Sequence, residues 1–317
     1  MRRLRILTWH VHGSYLWYLA HIGHDLYLPV RPGRPEGYGG RPAESTFPWP
    51  DNVHEVPAEQ VPALELDCVL TQSRRNWEQD RSEVLSPAQR VLPRIHLEHD
   101  PPRESPTDTR HFVDDPDALL VHVTAFNRLM WDNGPTPTRV IEHGVTVPAG
   151  SRCTGELARG LVVVNNLARR GRRLGADVFE EIRRVVPLDL VGMGWEACGG
   201  LGEVPPRELA AFAAPYRFLF NPIRYTSLGL AVCEAMMIGM PVVGLATTEM
   251  TTVVENGVSG WLDTDPARLV GRMHELLDDR GLALRMGEAA RQTALRRFSI
   301  ERFVREWDAA FASVTAP

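Results

Sequence analysis

Short apolar segments alternate with segments of helical periodicity along most of the chain, and this alternation strongly limits the folds that the sequence can adopt. Short apolar runs are typical of strands buried on both faces, and strands separated by helices form parallel sheets. The sequence therefore predicts an α/β protein in which helices cover both faces of parallel sheets. The predicted strands are residues 4–9, 25–30, 67–72, 94–98, 119–124, 138–142, 161–165, 188–191, 216–221 and 241–245.

A segment with a proline and two glycines near the middle of the chain indicates two domains. The 317 residues, 44% of them hydrophobic, suffice for two domains of ~100–200 residues each. Residues 147–159 are predicted to link the domains, because proline and glycine interrupt regular structure. The first domain would be residues 1–147, the second 148–298, and residues 299–317 would form a C-terminal helix. The other predicted helices are residues 176–185, 207–213, 266–277 and 282–296.

Charge, cysteine content and hydropathy limit the partners and the compartment. The formal net charge of −5 argues against a general nucleic-acid-binding protein, because such proteins carry an excess of basic residues. The four cysteines form no Cys-x-x-Cys pair, which indicates free thiols and a reducing compartment. No apolar run reaches the ~20 residues needed to span a bilayer, and no signal-peptide core follows the N-terminus. We therefore expect a cytoplasmic protein without a transmembrane segment.

Residues 225–245 combine a turn, an apolar helix and an apolar strand, an arrangement that suits a phosphate-bearing ligand. Thr226 and Ser227 are good helix-capping residues, and the helix is expected to begin near Leu228. A helix N-terminus offers unpaired amide donors and a partial positive charge, and Gly229 permits a ligand to approach the backbone closely. We expect this turn to bind a diphosphate.

Glu234 is a carboxylate within an otherwise apolar helix. A charged group in such surroundings needs a partner if the helix is buried, and the diol of a ribose is one candidate. The alternative is that Glu234 lies on an exposed stripe of the helix.

The same segment resembles the signature of the GT4 type of GT-B glycosyltransferases, in which a Glu, seven residues and a second Glu precede Ala-Met and a Gly-x-Pro-Val-Val strand. Glu234 occupies the position of the second Glu, which binds the donor ribose in that family. The matching positions also include Ala235, Met236, Gly239, Pro241, Val242 and Val243. In the family the preceding turn binds the diphosphate, and here that turn contains Thr226, Ser227, Leu228, Gly229 and Leu230.

The resemblance implies the GT-B fold, an α/β arrangement of two Rossmann-like domains that face each other across a cleft. In these enzymes a C-terminal helix crosses back to the first domain. Residues 300–314 fit such a helix, because Phe303, Trp307 and Phe311 fall on one amphipathic face that needs a partner.

The chain departs from the family pattern at several donor-binding positions. Thr226 stands where the family has the first Glu, which contacts hydroxyl groups of the donor sugar. Asn166 falls on the usual Arg of the diphosphate site, and Gly175 lies near the usual Lys. Glycines of a later turn are replaced by Thr247, Thr248 and Glu249.

An arginine-rich run, residues 169–173, follows the predicted strand 161–165. At least one of Arg170, Arg172 and Arg173 is expected to bind the donor phosphates, because a guanidinium donates two parallel charge-assisted hydrogen bonds to phosphate. The loop from a strand to a helix is also where α/β folds bind ligands. The alternative is a solvated charged surface.

The resemblance is weaker toward the N-terminus. Residues 118–145 are similar to a strand, a helix and a Val-Ile-x-Asn-Gly-Val segment of the family, with His143 in place of the Asn. Upstream, His99 ends a predicted strand, and similar enzymes carry at this strand end a His that lines the catalytic pocket. The resemblance therefore makes His99 the candidate catalytic residue. The alternative is a loop histidine with a local hydrogen bond.

His10 and His12 follow the first strand, and their spacing places both imidazoles on one side of an extended segment. We expect them to contact the acceptor or the donor. Gly13 and Ser14 match the family's short first loop, which shapes the acceptor side. A metal site would need a third ligand that the sequence does not identify, so no metal is predicted.

Two further patterns are compatible with other functions. Residues 192–194, Gly-Met-Gly, lack the third glycine of a dinucleotide-binding fingerprint. Glu98, Asp100 and Glu104 could supply the paired carboxylates of a glycoside hydrolase, or they could belong to a solvated acidic run.

The sequence and the resemblance together predict a retaining, metal-independent glycosyltransferase. It would move a sugar from a nucleoside-diphosphate sugar to a small-molecule, glycan or lipid acceptor, without a cofactor. Catalysis would rest on positioning the substrates and on stabilising the departing diphosphate with arginines and turn amides. The alternatives are a sugar-nucleotide-binding protein that has lost transfer activity, and an epimerase or hydrolase of the same fold.

Overall fold

The chain forms two compact units. The computed structural model describes residues 2–11, 13–41 and 48–315. Unit 1 comprises Met1–Gly144 and Ile300–Pro317, and unit 2 comprises Val145–Ser299. Each unit contains one parallel sheet together with α-helices, which confirms the predicted α/β class.

The described residues contain the following regular elements. The strands are β1 (Arg5–Thr8), β2 (Asp25–Val30), β3 (Val53–Pro57), β4 (Cys68–Thr71), β5 (Arg94–Glu98), β6 (Ala118–His122), β7 (Thr138–Val140), β8 (Leu157–Val163), β9 (Leu188–Val191), β10 (Tyr216–Asn221), β11 (Val242–Leu245) and β12 (Gly260–Asp263). The helices are α1 (Gly13–Leu19), α2 (Arg81–Val84), α3 (Ala125–Met130), α4 (Leu167–Leu174), α5 (Ala176–Ile182), α6 (Pro206–Ala213), α7 (Leu230–Met237), α8 (Met250–Val253), α9 (Pro266–Asp278), α10 (Arg280–Arg297) and α11 (Ile300–Thr315).

The sheet of unit 1 has the strand order β3-β2-β1-β4-β5-β6-β7. The chain first adds β2 and β3 on one side of β1, and β4 then pairs with the other side. The strand order therefore reverses between β1 and β4. In doubly wound sheets a ligand binds beyond the carboxyl ends of the strands at such a reversal.

The sheet of unit 2 has the strand order β12-β11-β10-β8-β9 and reverses between β8 and β10. Its core includes Phe179 of α5, Phe218 and Phe220 of β10, and Met273 of α9. These side chains come from both strands and helices, so the apolar periodicity in this half of the sequence reflects burial.

Helix α11 buries its apolar face within unit 1. Phe303, Trp307 and Phe311 are fully buried. The indole Nε1 of Trp307 donates a hydrogen bond to Tyr15 Oη at 3.2 Å. Burial of each large apolar side chain contributes about 1.5–3 kcal/mol. Residues at opposite ends of the sequence therefore stabilise the same core.

Several local predictions differ from the structure. Strand β3 was not predicted, because its polar residues and Pro57 suit an edge strand that pairs only with β2. The predicted linker extends too far, because β8 already begins at Leu157, opposite Tyr216. Helix α4 was not predicted, because half of its residues are arginine and Gly171 interrupts it.

Within the described ranges, no helix combines the length and the apolar content needed to cross a membrane. All four cysteines are free thiols, in agreement with the prediction from their spacing.

Candidate functional site

Gln72 connects three strand ends at the reversal of the unit 1 sheet. It directly follows β4, and its side-chain NH₂ group donates to Thr8 Oγ1 (3.0 Å) and to the Trp9 carbonyl oxygen (2.8 Å) after β1. Both amide protons point to β1, so the amide oxygen Oε1 faces His99 Nε2 at 3.2 Å. His99 Nε2–H therefore donates to Gln72. This bond fixes the ring of His99 directly after β5.

Tyr15 of α1 packs against the ring of His99. The two rings meet edge-on, with 4.9 Å between their centroids. Burial raises the pKa of Tyr15, so its phenol stays protonated. The structure thus places the predicted His99 between a fixed amide and a buried phenol. Gln72 and Tyr15 were not predicted, although the position of Gln72 directly after an apolar strand was a usable signal.

The residues predicted for the acceptor side lie near the start of α1. His10 follows β1, and its ring lies edge-on to Trp49 at 6.4 Å between centroids. Gly13 and Ser14 were predicted to lie in a short loop, but they are the first two residues of helix α1. His12 lies outside the described residues. The acceptor-side role of these four residues stays a prediction.

His99 lines a cavity of about 440 Å³ in unit 1. Small-molecule sites have volumes of roughly 300–1,000 Å³, so this cavity can hold a ligand of that class. Gln72 also lines it, which places it beyond the carboxyl ends of β4 and β5. The three acidic residues that suggested paired carboxylates, Glu98, Asp100 and Glu104, all line this one cavity.

His96, Glu98 and His111 bring potential metal ligands within 4.8 Å of one another, in the part of the chain that the structure describes. His111 Nδ1 accepts a hydrogen bond from the Val113 N–H at 3.0 Å, so Nε2 carries the proton of this neutral ring. Nε2 lies 3.0 Å from Glu98 Oε2 and donates to it. A metal would require a lone pair at that nitrogen. The group is therefore a hydrogen-bonded imidazole and carboxylate.

The two segments predicted to bind phosphate in unit 2 both begin at the reversal of its sheet. Strand β8 leads into α4, and β10 leads into the loop before α7. Asn166 is the N-cap of α4 in a left-handed conformation (φ 55°), and its N–H donates to the Met193 carbonyl. The carboxyl ends of β8 and β10 are where a doubly wound sheet binds its ligand.

The three candidate arginines lie in α4, whereas the sequence placed them in a loop. The helix is kinked at Gly171 (φ 57°, ψ −141°), which separates Arg170 from Arg172 and Arg173. Arg172 is exposed and forms an ion pair with Asp177. Arg170 and Arg173 are half-buried. The kink therefore places Arg170 before the break in the helix and Arg172 and Arg173 after it.

Arg224 attaches the loop after β10 to the start of α5. Its guanidinium donates to both carboxylate oxygens of Asp177, at 2.5 and 2.8 Å, and to the Arg172 carbonyl at 2.7 Å. The Arg224 N–H donates to the Arg173 carbonyl at 3.0 Å. The guanidinium lowers the pKa of the Asp177 carboxyl, which therefore stays ionised at neutral pH. This pair was not predicted, because the two residues lie far apart in sequence.

Gly175, between α4 and α5, lies near the position where the family has a lysine, and the structure gives a reason for a glycine there. Its φ is +80°, and a Cβ atom there would lie 1.9 Å from the Pro222 carbonyl oxygen. The backbone after β10 thus occupies the space that a side chain would need. Position 175 therefore cannot supply a cationic side chain.

Helix α7 begins at Leu230, with Gly229 as its N-cap. The prediction that Thr226 and Ser227 cap this helix is wrong, because the backbone is still extended at Gly229 (φ −75°, ψ 139°). Leu228, just before the cap, is buried. The first turn of α7 holds no acidic side chain. A helix start of this kind is available to an anion.

Glu234 lies on the same face of α7 as the first turn. Leu230, Ala231 and Glu234 are the half-buried residues of this helix, and its other side chains are buried. Residues three and four apart share a helix face, so this stripe runs from the N-terminus to Glu234. The carboxylate can thus reach a ligand whose phosphates lie at the helix start.

The turn at residues 247–249 contains a strained residue. Thr248 adopts φ 53°, a left-handed conformation in which a β-branched side chain is an outlier. Thr247 Oγ1 donates to the Ile223 carbonyl at 3.0 Å. The buried Glu249 accepts a hydrogen bond from Thr252 at 2.6 Å. The backbone thus retains a conformation that suits the glycine of the family pattern.

We expect Thr248→Gly to stabilise the protein by about 1 kcal/mol, because the left-handed conformation costs an L-residue about 1–2 kcal/mol and costs glycine little. Thermal unfolding would report the gain as a higher Tm. Thr264→Gly is the matched control, because Thr264 is not among the residues with positive φ; it should lower Tm. A lower Tm for both variants would contradict the assigned strain.

Residues 169–309 match a family model described as glycosyl transferase-like. The chain is 34% identical over 123 residues to a D-inositol 3-phosphate glycosyltransferase of Nocardioides sp., covering 36% of this chain and 27% of the relative. It is 30% identical over 90 residues to an N-acetyl-α-D-glucosaminyl L-malate synthase of Bacillus anthracis, covering 28% of this chain and 24% of the relative. The matches thus span about a quarter of each curated relative.

Solved structures are similar over nearly the whole chain. A sucrose-phosphate synthase from Thermosynechococcus elongatus superposes with a TM-score of 0.70 at 15% identity, covering 99% of this chain and 100% of that one. Anabaena HepE, solved in complex with UDP and glucose, superposes with a TM-score of 0.68 at 14% identity, covering 98% and 100%. At these identities the likeness concerns the fold.

Proposed function

The chain is a GT-B protein that resembles the GT4 family, and we propose that it is a glycosyltransferase whose donor is a nucleoside-diphosphate sugar. One observation carries this proposal. Helices α4 and α7 both start beyond the reversal of the unit 2 sheet, one bearing arginines and the other an uncapped first turn. Guanidinium groups and helix-start amides are both strong donors to phosphate.

The donor would bind unit 2 through these two helices. The amides from Gly229 onward would hold the diphosphate, and Glu234 would accept hydrogen bonds from the ribose diol. Arg170, Arg172 or Arg173 would supply the positive charge that Gly175 cannot. Thr226, Ser227 and Asn166 would lie at the rim of this site. Uridine nucleotides are the first donors to test, because the Anabaena neighbour was solved with UDP.

Transfer would be retaining and would need no metal. Negative charge builds up on the diphosphate as the glycosidic bond breaks, and donors already in place lower that barrier most effectively. The arginines of α4 and the amides of α7 would do this. His99, held by Gln72 and Tyr15, is the proposed catalytic residue. No side-chain nucleophile is invoked.

The experiment that tests the donor site is a calorimetric titration of UDP, GDP, ADP and TDP and their common sugars. We expect one nucleotide to bind, and Glu234→Ala to weaken it at least tenfold, which corresponds to about 1.4 kcal/mol. Glu181→Ala is the control, because Glu181 is an exposed glutamate of the same unit. If none of the nucleotides binds, the transferase proposal fails.

A second function is favoured by particular substitutions. Thr226 and Asn166 replace two family residues that contact the donor, which would suit a protein that binds a sugar nucleotide without transferring the sugar. Product analysis separates the possibilities. A transferase forms a glycoside, a hydrolase releases free sugar without an acceptor, and a binding protein does neither.

A further inference from the structure

Glu98 lines the cavity that also contains His99, and hydrogen bonds fix the position of its carboxylate. It is the last residue of β5, and its side chain is 12% exposed. Oε1 accepts the Asp100 N–H at 2.8 Å, and Oε2 accepts His111 Nε2–H at 3.0 Å. Two donors from different segments thus fix both oxygens, and each oxygen keeps a lone pair for a further hydrogen bond.

No arginine or lysine nitrogen lies within 4.0 Å of the Glu98 carboxylate among the described residues. Of the described groups, only the rings of His96 and His111 bring a basic nitrogen within 4.0 Å of its carboxylate. The ring of His111 is neutral because Nδ1 accepts the Val113 N–H. Burial lowers the pKa of His96 well below its usual value, so that ring is neutral as well. Glu98 therefore attracts hydrogen-bond donors.

The arginines that line the same cavity are already paired. Arg74 donates to Glu78 at 2.8 Å, Arg110 binds Asp114 at 3.0 Å, and Arg103 pairs with Asp100. A phosphate or carboxylate ligand would have to compete with these partners and would also face Glu98. The lining thus disfavours an anionic ligand, since like charges repel in a partly buried site.

Flat aromatic surfaces lie next to this carboxylate. Phe112 stacks on His111 with 4.3 Å between centroids, and Trp131 meets His111 edge-on at 4.7 Å. Trp131 Nε1 donates to the Asp100 carbonyl at 2.9 Å, which fixes the indole. Both Phe112 and Trp131 line the cavity. Aromatic walls with a few oriented polar groups are typical of small-molecule sites.

We propose that this cavity binds the acceptor, that the acceptor presents a neutral polyhydroxylated ring, and that Glu98 accepts hydrogen bonds from its hydroxyl groups. The inference rests on the proposed transferase function and adds the acceptor class to it. Hydrogen bonds to a charged acceptor are about twice as strong as neutral ones, so Glu98, whose two oxygens are already fixed, would contribute strongly to the polar recognition. His111 is a positioning residue, because it acts through Glu98.

The first test is ligand-observed NMR with myo-inositol, methyl α-D-glucoside, glucosamine and inorganic phosphate as probes. We expect the neutral polyols to bind, and Glu98→Gln to weaken them at least tenfold. Glu65→Gln is the control, because Glu65 is exposed in the same unit, outside the cavity. Preferential binding of phosphate, or of glucosamine only, would overturn the neutral-acceptor proposal.

The second test separates this inference from the donor proposal. With a polyol acceptor that supports transfer, Glu98→Gln and His111→Phe should raise the acceptor KM at least tenfold and leave the nucleotide Kd unchanged. Unfolding curves establish that each variant is folded. If Glu98→Gln does not fold, Glu98→Ala takes its place. An unchanged acceptor KM in Glu98→Gln and His111→Phe would refute the acceptor inference, even if nucleotide binding is confirmed. One equivalent of Zn²⁺ that raises the Tm of the unaltered protein but not of Glu98→Gln would also overturn it.

Discussion

His99→Ala is expected to lower kcat for sugar transfer by about 10²–10³, the usual effect of removing one preset polar group from a reaction centre. The structure holds this ring by the hydrogen bond to Gln72 and the edge contact with Tyr15. A side chain held this tightly needs little reorganisation when the substrates bind. Initial rates at saturating donor and acceptor measure the effect.

The nucleotide Kd separates a catalytic role of His99 from a structural one. It should change by less than about twofold in His99→Ala if the residue acts on the chemical step. His274→Ala is the matched control, because His274 is an exposed histidine on α9 of unit 2. Gln72→Leu should give an intermediate loss of kcat, since it frees the ring without removing it. Unchanged kcat in His99→Ala would refute the catalytic assignment.

Gly175→Ala is expected to destabilise the protein by more than about 3 kcal/mol, since a steric clash and an unfavourable φ add together. The new Cβ would lie 1.9 Å from a backbone oxygen, which cannot move aside as a flexible side chain can. The loop after β10 would have to separate from the turn between α4 and α5. Urea unfolding followed by circular dichroism measures the loss.

Gly271→Ala is the matched control for this substitution. Gly271 lies within α9, and no atom lies within 4 Å of a Cβ built there. Alanine is the better helix former by about 0.5–1 kcal/mol, so this variant should gain stability. If Gly175→Ala were as stable as the unaltered protein, the close approach to Pro222 would be wrong.

The strand pattern was the most predictable part of this fold. Residues 25–30, 94–98, 188–191 and 216–221 were predicted with the observed bounds. Short, largely apolar segments of this length are typical of strands buried in a parallel sheet. Strand β3 and helix α4 were missed for the opposite reason. Neither contains a continuous apolar run, and their structure depends on pairing with β2 or on the preceding strand end more than on composition.

A residue of the candidate site could be predicted from the sequence only where that residue by itself is unusual in its surroundings. His99 and Glu234 stand out as polar residues at a strand end and in an apolar helix. Gln72 and Arg224 do not, because their roles depend on partners that are distant in sequence. The effect of Gly175 is likewise visible only once the loop after β10 is placed. A sequence pattern can locate the end of a strand, whereas hydrogen-bond partners are identified only from the folded structure.

The position of α11 has a consequence for how the chain is made. Unit 2 is one continuous stretch, whereas unit 1 needs Ile300–Thr315 to complete its core. During synthesis all of unit 2 leaves the ribosome before Trp307 can reach Tyr15. Because domains generally fold as units, the half that is translated first is the half that finishes last. Until α11 has been synthesised, the surface around Tyr15 that it covers stays exposed and is prone to aggregation.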